Sequence, residues 1–365
     1  GDGLPRSHVP RPEAILAETS RTRDIVVIGG SAGGLEALQY VLGGLPPHFP
    51  AAVFVTLHIG PVSYLPQILG RACALPVLPA RSGDPIDRGK VYVAVPDVHV
   101  LLHADHVLLR RGPRENLTRP AIDPLFRSAA ASLRGRVIGV LLSGSLSDGT
   151  AGLRAIKRCG GLAVVQEPDD AIVPLMPESA LRHVDVDYVR PAVDIAGLLD
   201  RLVREPAGPD VDVPTDIRLE AAIAAQELAD MKVDDMIGTP SRLTCPECGG
   251  ALWEIEDGSL LRYRCHVGHA FGADAVLSAQ GEEIEKTLEK LQRAHQERAA
   301  LARKMAERQR IGRRHNLAEQ LEARARGYEE DAALVQELIR TGFGGAGDAT
   351  REGSGDPAAN GTVES

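Results

Sequence analysis

A serine lies at the centre of a glycine-rich turn near the start of the chain. Ser31 is the middle residue of GGSAG (29–33), which fits the pattern G-x-S-x-G, and it falls between a predicted buried strand and a predicted helix. Such a turn exposes the hydroxyl, and the N-terminus of the following helix favours negative charge beside it. The arrangement could therefore support nucleophilic attack on an acyl group, although a structural glycine turn would give the same pattern.

Phosphate-binding loops are the other glycine-rich turns to consider. The dinucleotide pattern G-x-G-x-x-G fails because Ser31 and Ala32 interrupt it. The nucleotide pattern G-x-x-x-x-G-K-[ST] fails because Leu35 and Glu36 follow Gly34, so no lysine could reach a phosphate. The segment is better suited to acyl chemistry than to phosphate binding.

A serine nucleophile needs a base and a carboxylate, and one candidate of each follows a predicted strand. His58 ends the apolar run VFVTLH (53–58), and Asp148 lies just beyond the run VIGVLLS (137–143). Taken singly, a histidine at a strand end is more often structural, and an aspartate in S-D-G is more often a turn or helix cap. The carboxyl ends of parallel strands share one edge of a sheet, however. We therefore predict that Ser31, His58 and Asp148 meet there as a Ser-His-Asp triad, in a chain order that differs from those of chymotrypsin, subtilisin and the α/β-hydrolases.

The elements that position these residues are short apolar runs that alternate with helical stretches. The runs are IVVIG (25–29), AVFVTLH (52–58), VYVAV (91–95), HVLLR (106–110), VIGVLLS (137–143) and LAVVQ (162–166). Near-continuous Val, Ile and Leu runs separated by helices predict an α/β fold with a doubly wound, mostly parallel sheet. The stretch 91–110 predicts a β-hairpin addition that makes the sheet mixed.

Five motifs in this region occur in the order found in one known family. They are VIGGSAGGLEAL (27–38), TLHIGP (56–61), VYVAVPDVHV (91–100), TRPAIDPLF (118–126) and LLSGSLSDGTAGL (141–153). Over residues 24–203 the chain thereby resembles the catalytic domain of chemotaxis protein-glutamate methylesterases. The resemblance implies hydrolysis of glutamate methyl esters on chemoreceptor-type proteins, often with deamidation of glutamine. It also implies that Ser31 is the nucleophile, His58 the base and Asp148 the carboxylate that orients the histidine.

The same resemblance places an oxyanion and substrate loop at Ala32 and Ser145, with the Ser145 backbone N–H as a donor. Members of the family often have Thr at the position of Ala32 and Met at that of Ser145. They typically also carry an N-terminal phospho-acceptor receiver domain. Only about 23 residues precede the matching region, so we expect the catalytic domain without the receiver domain.

A cysteine cluster near the C-terminal third has the spacing of a metal site. Cys245, Cys248 and Cys265 fall in one short window, and His269 completes C-x₂-C…C-x₃-H. Three thiolates and one imidazole suit tetrahedral Zn²⁺ in a closed structural site, with His266 as the rival fourth ligand. A redox C-x-x-C pair is the alternative, but the βαβ context that such a pair needs is absent here. Zinc is thus the expected cofactor, and none is expected for catalysis; the tail resembles those of receiver-less members of the family.

Composition limits the partners and the compartment. The formal net charge of −9 argues against a general nucleic-acid binder, and the candidates for a basic, aromatic face are Trp253, Arg262, Tyr263 and Arg264. No apolar run approaches the roughly 18 residues that a membrane span needs, and no signal-type apolar segment is found. We expect a cytoplasmic protein that does not insert into the membrane, whose partners are methylated receptors and, through its C-terminal region, signalling proteins or a second copy. The alternative function is a catalytically weak scaffold that uses the same modules to recruit partners.

The predicted domain plan has six parts. They are a flexible lead-in (1–22), the catalytic α/β domain (23–203), a linker with a helix over 216–231 (204–243), the zinc-ribbon module (244–272), a helical hairpin interrupted at Gly312 (273–341) and a disordered tail (342–365).

Overall fold

The structure is a computed structural model that describes residues 21–58, 64–226 and 238–342. It divides into two compact units, Gly1–Ala279 and Gln280–Ser365. The first unit contains the predicted catalytic domain together with the cysteine-rich module, and the second contains most of the helical hairpin. The predicted lead-in and tail lie almost wholly outside the described residues, and the domain boundaries stay predictions.

A seven-stranded sheet forms the centre of the first unit and confirms the predicted fold class. All of its neighbouring strands are parallel, in the order β3-β4-β2-β1-β7-β8-β9. Its strands are β1 (Ile25–Gly30), β2 (Ala52–Leu57), β3 (Val77–Pro79), β4 (Val91–Val93), β7 (Val137–Leu141), β8 (Leu162–Gln166) and β9 (Tyr188–Arg190).

The predicted hairpin is shorter than expected and stands apart from this sheet. Strands β5 (His99–His103) and β6 (His106–Arg110) form a separate antiparallel pair, and Ala104 adopts a left-handed backbone in the turn between them. Strand β4 lies within the stretch 91–110 that predicts the hairpin, but it pairs in parallel with β2 instead. The prediction of a mixed sheet was therefore wrong, because the hairpin adds no antiparallel strand to it.

Among the described residues, six helices cover the two faces of the sheet. They are α1 (Gly34–Gly43), α2 (Leu65–Gly70), α3 (Ile122–Leu133), α4 (Thr150–Arg158), α5 (Leu175–His183) and α6 (Ala192–Leu202). Side chains alternate along each strand, so Val27 packs with Phe126 of α3 on one face, whereas Ile28 packs with Leu38 of α1 and Leu199 of α6 on the other. Two apolar layers on one sheet are the double winding that the runs of Val, Ile and Leu predicted.

The cysteine-rich module follows helix α7 (Thr215–Ala224). Four antiparallel strands form it: β10 (Thr239–Thr244), β11 (Ala251–Asp257), β12 (Leu260–Cys265) and β13 (Ala270–Gly272). The predicted helix over 216–231 begins at Thr215 and ends at Ala224, and residues 227–237 lie outside the described part of the chain. We call residues 239–272 the ribbon module.

Two long helices form the predicted helical hairpin. Helix α8 (Ala273–Ile311) and helix α9 (His315–Thr341) are separated by a short turn in which Arg313 has a left-handed backbone. Arg298 donates to the Tyr328 hydroxyl at 2.9 Å, and Arg303 donates to Glu329 at 2.7 Å, which is the pairing of an antiparallel arrangement. None of the described helices combines the length and the apolar character that crossing a membrane requires.

A buried cluster of charges joins the ribbon module to the α/β core. Arg127 of α3 contacts Glu115 at 2.6 Å and Glu220 of α7 at 2.9 Å. Arg264 of β12 contacts Glu220 at 2.7 Å, and Arg262 donates to the same carboxylate. The two arginines proposed for a nucleic-acid face are therefore paired with buried carboxylates and are not presented to solvent.

The charges in this cluster compensate one another. Burial alone would raise the pKa of Glu220, but the Arg262, Arg127 and Arg264 charges lower that pKa below its ordinary value. Burial would likewise raise the pKa of Glu115, but the charge of Arg127 acts against it, and the pKa of Glu115 is also lowered. Each carboxylate thus depends on its guanidinium partners, because a buried charge without a partner strongly destabilises the folded state.

Replacing Glu220 by alanine should lower the free energy of unfolding by about 3–5 kcal/mol, because three arginines would then lose a buried counter-charge. Denaturation in urea measures the effect, and Glu256→Ala, at an exposed carboxylate of β11, is the matched control that should unfold at the wild-type denaturant concentration. Wild-type unfolding in the Glu220→Ala protein would contradict the role given to the cluster.

The same cluster predicts a direction for the pH dependence of stability. Because the folded-state pKa values of Glu115 and Glu220 are lowered, their contribution is fully present above the unfolded value of about 4.3 and is lost as the pH falls through the folded values. Between about pH 5 and about pH 3, the free energy of unfolding should therefore decrease less in the Glu220→Ala protein than in wild type.

Candidate active site

Ser31 follows strand β1 in a turn that requires glycine. Gly33 has a left-handed backbone with φ of 72°, and a Cβ added to it would lie 2.6 Å from Ile172 and 2.7 Å from the Ser143 hydroxyl. The Gly34 N–H donates to the Ser31 carbonyl at 2.9 Å, and the Ser31 N–H donates to the Ser143 carbonyl at the same distance. The turn is thereby fixed to the end of the neighbouring strand β7.

His58 lies between the other two predicted residues. Its Nδ1 is 3.0 Å from the Ser31 hydroxyl, and its Nε2 is 2.7 Å from Oδ2 of Asp148. If Nε2 carries the proton that Asp148 accepts, Nδ1 is left to accept the proton of the Ser31 hydroxyl. The two ring nitrogens thus exchange the roles that they have in chymotrypsin-like proteases, where Nε2 faces the serine.

The structure brings all three residues together because β2, β1 and β7 are adjacent in the sheet. Ser31 follows β1, His58 follows β2 and Asp148 lies beyond β7, so their side chains meet at the carboxyl edge. This is the edge at which open parallel sheets place their functional groups.

The carboxylate of Asp148 is only 1% exposed and accepts hydrogen bonds from four donors. Oδ2 accepts from His58 and from the Ile122 N–H, whereas Oδ1 accepts from the Asn116 amide at 2.9 Å and from the Asp123 N–H at 3.1 Å. Burial would raise the pKa of Asp148, but the His58 hydrogen bond and charge and the other donors lower it. The carboxylate is therefore held charged and in a fixed orientation.

Sequence reasoning missed the polar residues behind Asp148. Asn116 donates to both Asp148 and Asp123, and Asp123 also accepts from the Gly149 N–H at 3.0 Å and the Gly152 N–H at 2.6 Å. Burial and the neighbouring charge of Asp148 raise the pKa of Asp123. The signal for Asp123 was its place in TRPAIDPLF, but no spacing rule points to Asn116, which belongs to an irregular loop.

The predicted oxyanion loop lies beside Ser31. A Cβ added to Gly144 would be 2.9 Å from the Ser31 Cβ, so the chain before Ser145 runs directly against the serine. Among the described residues, the N–H groups of Ala32 and Ser145 form no hydrogen bond. Within the described part of the chain both donors thus remain unpaired, which the oxyanion role requires.

The ribbon module gathers four of the predicted metal ligands. The ligand atoms of Cys245, Cys248, Cys265 and His269 all lie within 4.8 Å of one another. The Cys248 and Cys265 sulfurs are 3.8 Å apart, and His269 Nδ1 is 3.5 Å from the Cys265 sulfur. A tetrahedral zinc with Zn–S bonds of about 2.3 Å would separate such atoms by roughly 3.7 Å, so the four groups fit that ion.

His266, the rival ligand, is not one of the four grouped residues. Its ring makes an edge contact with Trp253 at 6.5 Å between centroids and lies against Gly250, where an added Cβ would be 2.8 Å from the ring. The structure therefore places His269, and not His266, with the three cysteines.

Comparison with known proteins bears on the region that contains the serine, histidine and aspartate. Residues 26–199 match the CheB methylesterase family. A Leptospira interrogans protein, named for protein-glutamate methylesterase and protein-glutamine glutaminase activity, is 41% identical over 182 residues, which are 49% of this chain and 94% of that protein. An Anaeromyxobacter dehalogenans protein named for the same two activities is 39% identical over 53% of this chain and 57% of its own length.

A solved structure also matches. The crystal structure of the Thermotoga maritima CheB methylesterase catalytic domain is 34% identical, covers 50% of this chain and 100% of that domain, and superposes with a TM-score of 0.48. The family follows from the sequence match, since the chain covers nearly all of the Leptospira protein at 41% identity. The chain therefore belongs to the CheB methylesterase family.

Proposed function

We propose that the chain is a protein-glutamate methylesterase with Ser31 as nucleophile, His58 as general base and Asp148 as the orienting carboxylate. The observation that carries the proposal is the hydrogen-bonded series Ser31–His58–Asp148 at the carboxyl edge of the sheet. Relatives that share the family are named for methylesterase and glutaminase activity, which supports the choice of reaction.

In the first half of the reaction, the Ser31 hydroxyl oxygen attacks the ester carbonyl while His58 Nδ1 takes its proton. The N–H groups of Ala32 and Ser145 hold the oxyanion that develops. His58 then returns the proton to the leaving oxygen as the ester C–O bond breaks, so methanol departs and an acyl-enzyme remains.

In the second half, water replaces methanol. His58 accepts a proton from the water that attacks the acyl-enzyme and returns it to the Ser31 oxygen, which releases a glutamate carboxylate. Glutamine would react by the same steps with ammonia as the leaving group, which accounts for deamidation. Asp148 stabilises the imidazolium in both halves without taking the proton itself.

The substrates proposed are methyl-glutamate side chains on chemoreceptor-type proteins. Partners of the C-terminal region stay a prediction, and the helical hairpin is where we expect them. Its exposed apolar side chains could contact signalling proteins or a second copy: Leu291, Leu301, Met305, Ile311, Leu334 and Leu338.

We further propose that Cys245, Cys248, Cys265 and His269 hold one structural Zn²⁺. The fit rests on the soft donor set and on separations that suit a tetrahedral ion. The ion would cross-link β12 to the turn after β10, and it takes no part in the chemistry at Ser31.

Ser31→Ala and His58→Ala should each reduce methanol release from a methylated receptor fragment by a factor on the order of 10³ or more, and the double variant should lose little further. Ser278→Ala and His48→Ala, outside the site, are the matched controls. Wild-type turnover by Ser31→Ala would refute the nucleophile assignment, and binding without turnover by the wild type would favour the scaffold alternative.

Asp148→Asn should lower kcat by a factor on the order of 10⁴, because His58 loses the partner that fixes its tautomer and stabilises its charged form. Circular dichroism and thermal unfolding establish that the variant is folded. A folded Asp148→Asn protein with a kcat close to wild type would remove Asp148 from the proposed mechanism.

The protein purified under reducing conditions should contain about one zinc per chain, and Cys248→Ser should lose most of it. Elemental analysis measures the content, and Cys73→Ser, outside the cluster, is the control that should keep the metal. A metal-free wild-type protein would show that the four residues hold no structural ion.

A further inference from the structure

The ribbon module contacts the loop that supplies Asn116. The Asn116 N–H donates to the Ala270 carbonyl at 2.7 Å, and the Gly272 N–H donates to the Asn116 side-chain oxygen at 2.8 Å. Glu115 forms a parallel bridge with Ala270, so the loop extends the four-stranded ribbon sheet beyond β13. Asn116 is buried and has a φ of 49°, a backbone that asparagine tolerates better than most residues.

The other end of the same amide reaches the carboxylates at the active site. Asn116 Nδ2 donates to Asp148 at 2.9 Å and to Asp123 at 3.0 Å. The amide can satisfy both sides in one orientation only, with its oxygen on the Gly272 N–H and its nitrogen between the two carboxylates. The backbone of β13 therefore determines which way the donor points.

We propose that Asn116 is a positioning residue for Asp148, and that the ribbon module holds it in place and thereby forms part of the esterase site. The proposal rests on the proposed function, because it assigns Asp148 the task of orienting His58. It adds that a module outside the α/β domain sets the geometry of that carboxylate.

Two further contacts fix the module against the loop that carries Asp148. The Ser147 hydroxyl donates to Asp274, directly after the module, at 2.6 Å. A Cβ added to Gly272 would lie 2.3 Å from the Ser147 hydroxyl, so the Ser147 side chain packs directly against the backbone of Gly272. A shift of β13 would consequently displace both Asn116, which donates to Asp148, and Ser147, which precedes Asp148 in the chain.

The cysteine cluster is adjacent in sequence to the hydrogen bond between Asn116 and Ala270. His269 places its Nδ1 among the cysteine sulfurs, and the next residue is Ala270, whose carbonyl accepts the Asn116 N–H. Whatever secures His269 therefore also secures β13. Loss of a metal there would loosen the support of Asn116 without touching Ser31 or His58.

The amide is uncharged, and its loss changes the charge balance around Asp148. The titratable and charged groups that act on Asp148 and Asp123 come from several elements: His58 after β2, His99 of β5, Glu115 before α3, Asp123 and Arg127 of α3, and Arg262 of β12. An added carboxyl group at position 116 would lie between two buried carboxyl groups, and the burial and negative charge that raise the pKa of Asp123 would act on it as well.

Asn116→Asp tests the positioning role, since it keeps the shape of the side chain and replaces the donor by an acceptor. We expect kcat for methanol release to fall about 10-fold to 100-fold with little change in KM, and the fall to deepen as the pH rises, because ionisation of the added carboxyl group removes its O–H donor beside Asp148. Asn316→Asp, the same change at an exposed site on α9, is the control. A folded Asn116→Asp protein with wild-type kcat and pH profile would overturn the proposal.

Asn116→Gly is the second variant, in case the added charge prevents folding. Glycine accepts the left-handed backbone and keeps the N–H bond to Ala270, but it removes the donor to Asp148. We expect a fall in kcat of about 10-fold or more, and an unchanged kcat in this folded protein would equally count against the positioning role.

Removal of the metal tests the contribution of the module. Trp253 of β11 is the one tryptophan of the sequence, so its fluorescence reports the state of the ribbon module. During chelation of the full chain, we expect the Trp253 emission and the rate of methanol release to change together, and both to recover when zinc is restored. Turnover that stays constant while the Trp253 emission changes would show that the module does not support the site.

The outcomes separate this inference from the proposed function. If wild type releases methanol and Ser31→Ala does not, the esterase assignment holds whatever the Asn116 variants do. If Ser31→Ala is as active as wild type, the function itself fails. Normal turnover and pH profile in both Asn116 variants would remove the positioning role alone.

Discussion

A buried carboxylate that must stay charged is the constraint on which the site depends. Asp148 is 1% exposed, and a charge so placed is tolerated only when donors replace the water that it has lost. Four donors do so, from His58, Asn116 and two backbone N–H groups at the start of α3. Because the buried Asp148 carboxylate needs these donors, the loop before α3, the start of the helix and the imidazole must all stay close to it.

The parallel sheet converts distant sequence positions into neighbours. Strands β2, β1 and β7 lie side by side, so Ser31, His58 and Asp148 need only short extensions to meet at one edge. The glycines around Ser31 then bring the serine turn against the end of β7, where Gly144 leaves no room for a side chain. The order of the strands therefore decides that these three residues are neighbours, and the glycines allow the serine turn to approach the end of β7 closely.

Much of this was predictable from the sequence, for identifiable reasons. Val, Ile and Leu runs indicate buried parallel strands, and the edge rule then brought together Ser31, His58 and Asp148, which the structure places in hydrogen-bonding contact. The spacing of the cysteines likewise identified residues whose ligand atoms lie close together, and it favoured His269 over His266. Both predictions rest on local patterns with a fixed geometric meaning.

What the sequence could not give depends on contacts between distant segments. The apolar run at 91–95 is equally compatible with half of a hairpin and with a strand of the main sheet. Only its pairing with β2 distinguishes the two possibilities. No pattern indicates that Glu220 would face Arg127 and Arg264 in the interior, or that Asn116 would connect β13 to Asp148. Buried polar networks of this kind are specified by tertiary structure, and they tie the ribbon module to the core.

The central claim is that Ser31 forms an acyl-enzyme during ester hydrolysis. Rapid acid quenching of the wild-type enzyme with a short peptide that carries a γ-methyl glutamate, followed by peptide mass spectrometry, tests it directly. We predict an adduct equal to the peptide less methanol on the fragment that contains Ser31, and its disappearance when quenching is delayed until the substrate is exhausted. An adduct that formed and decayed at turnover rate on a different residue would contradict the account.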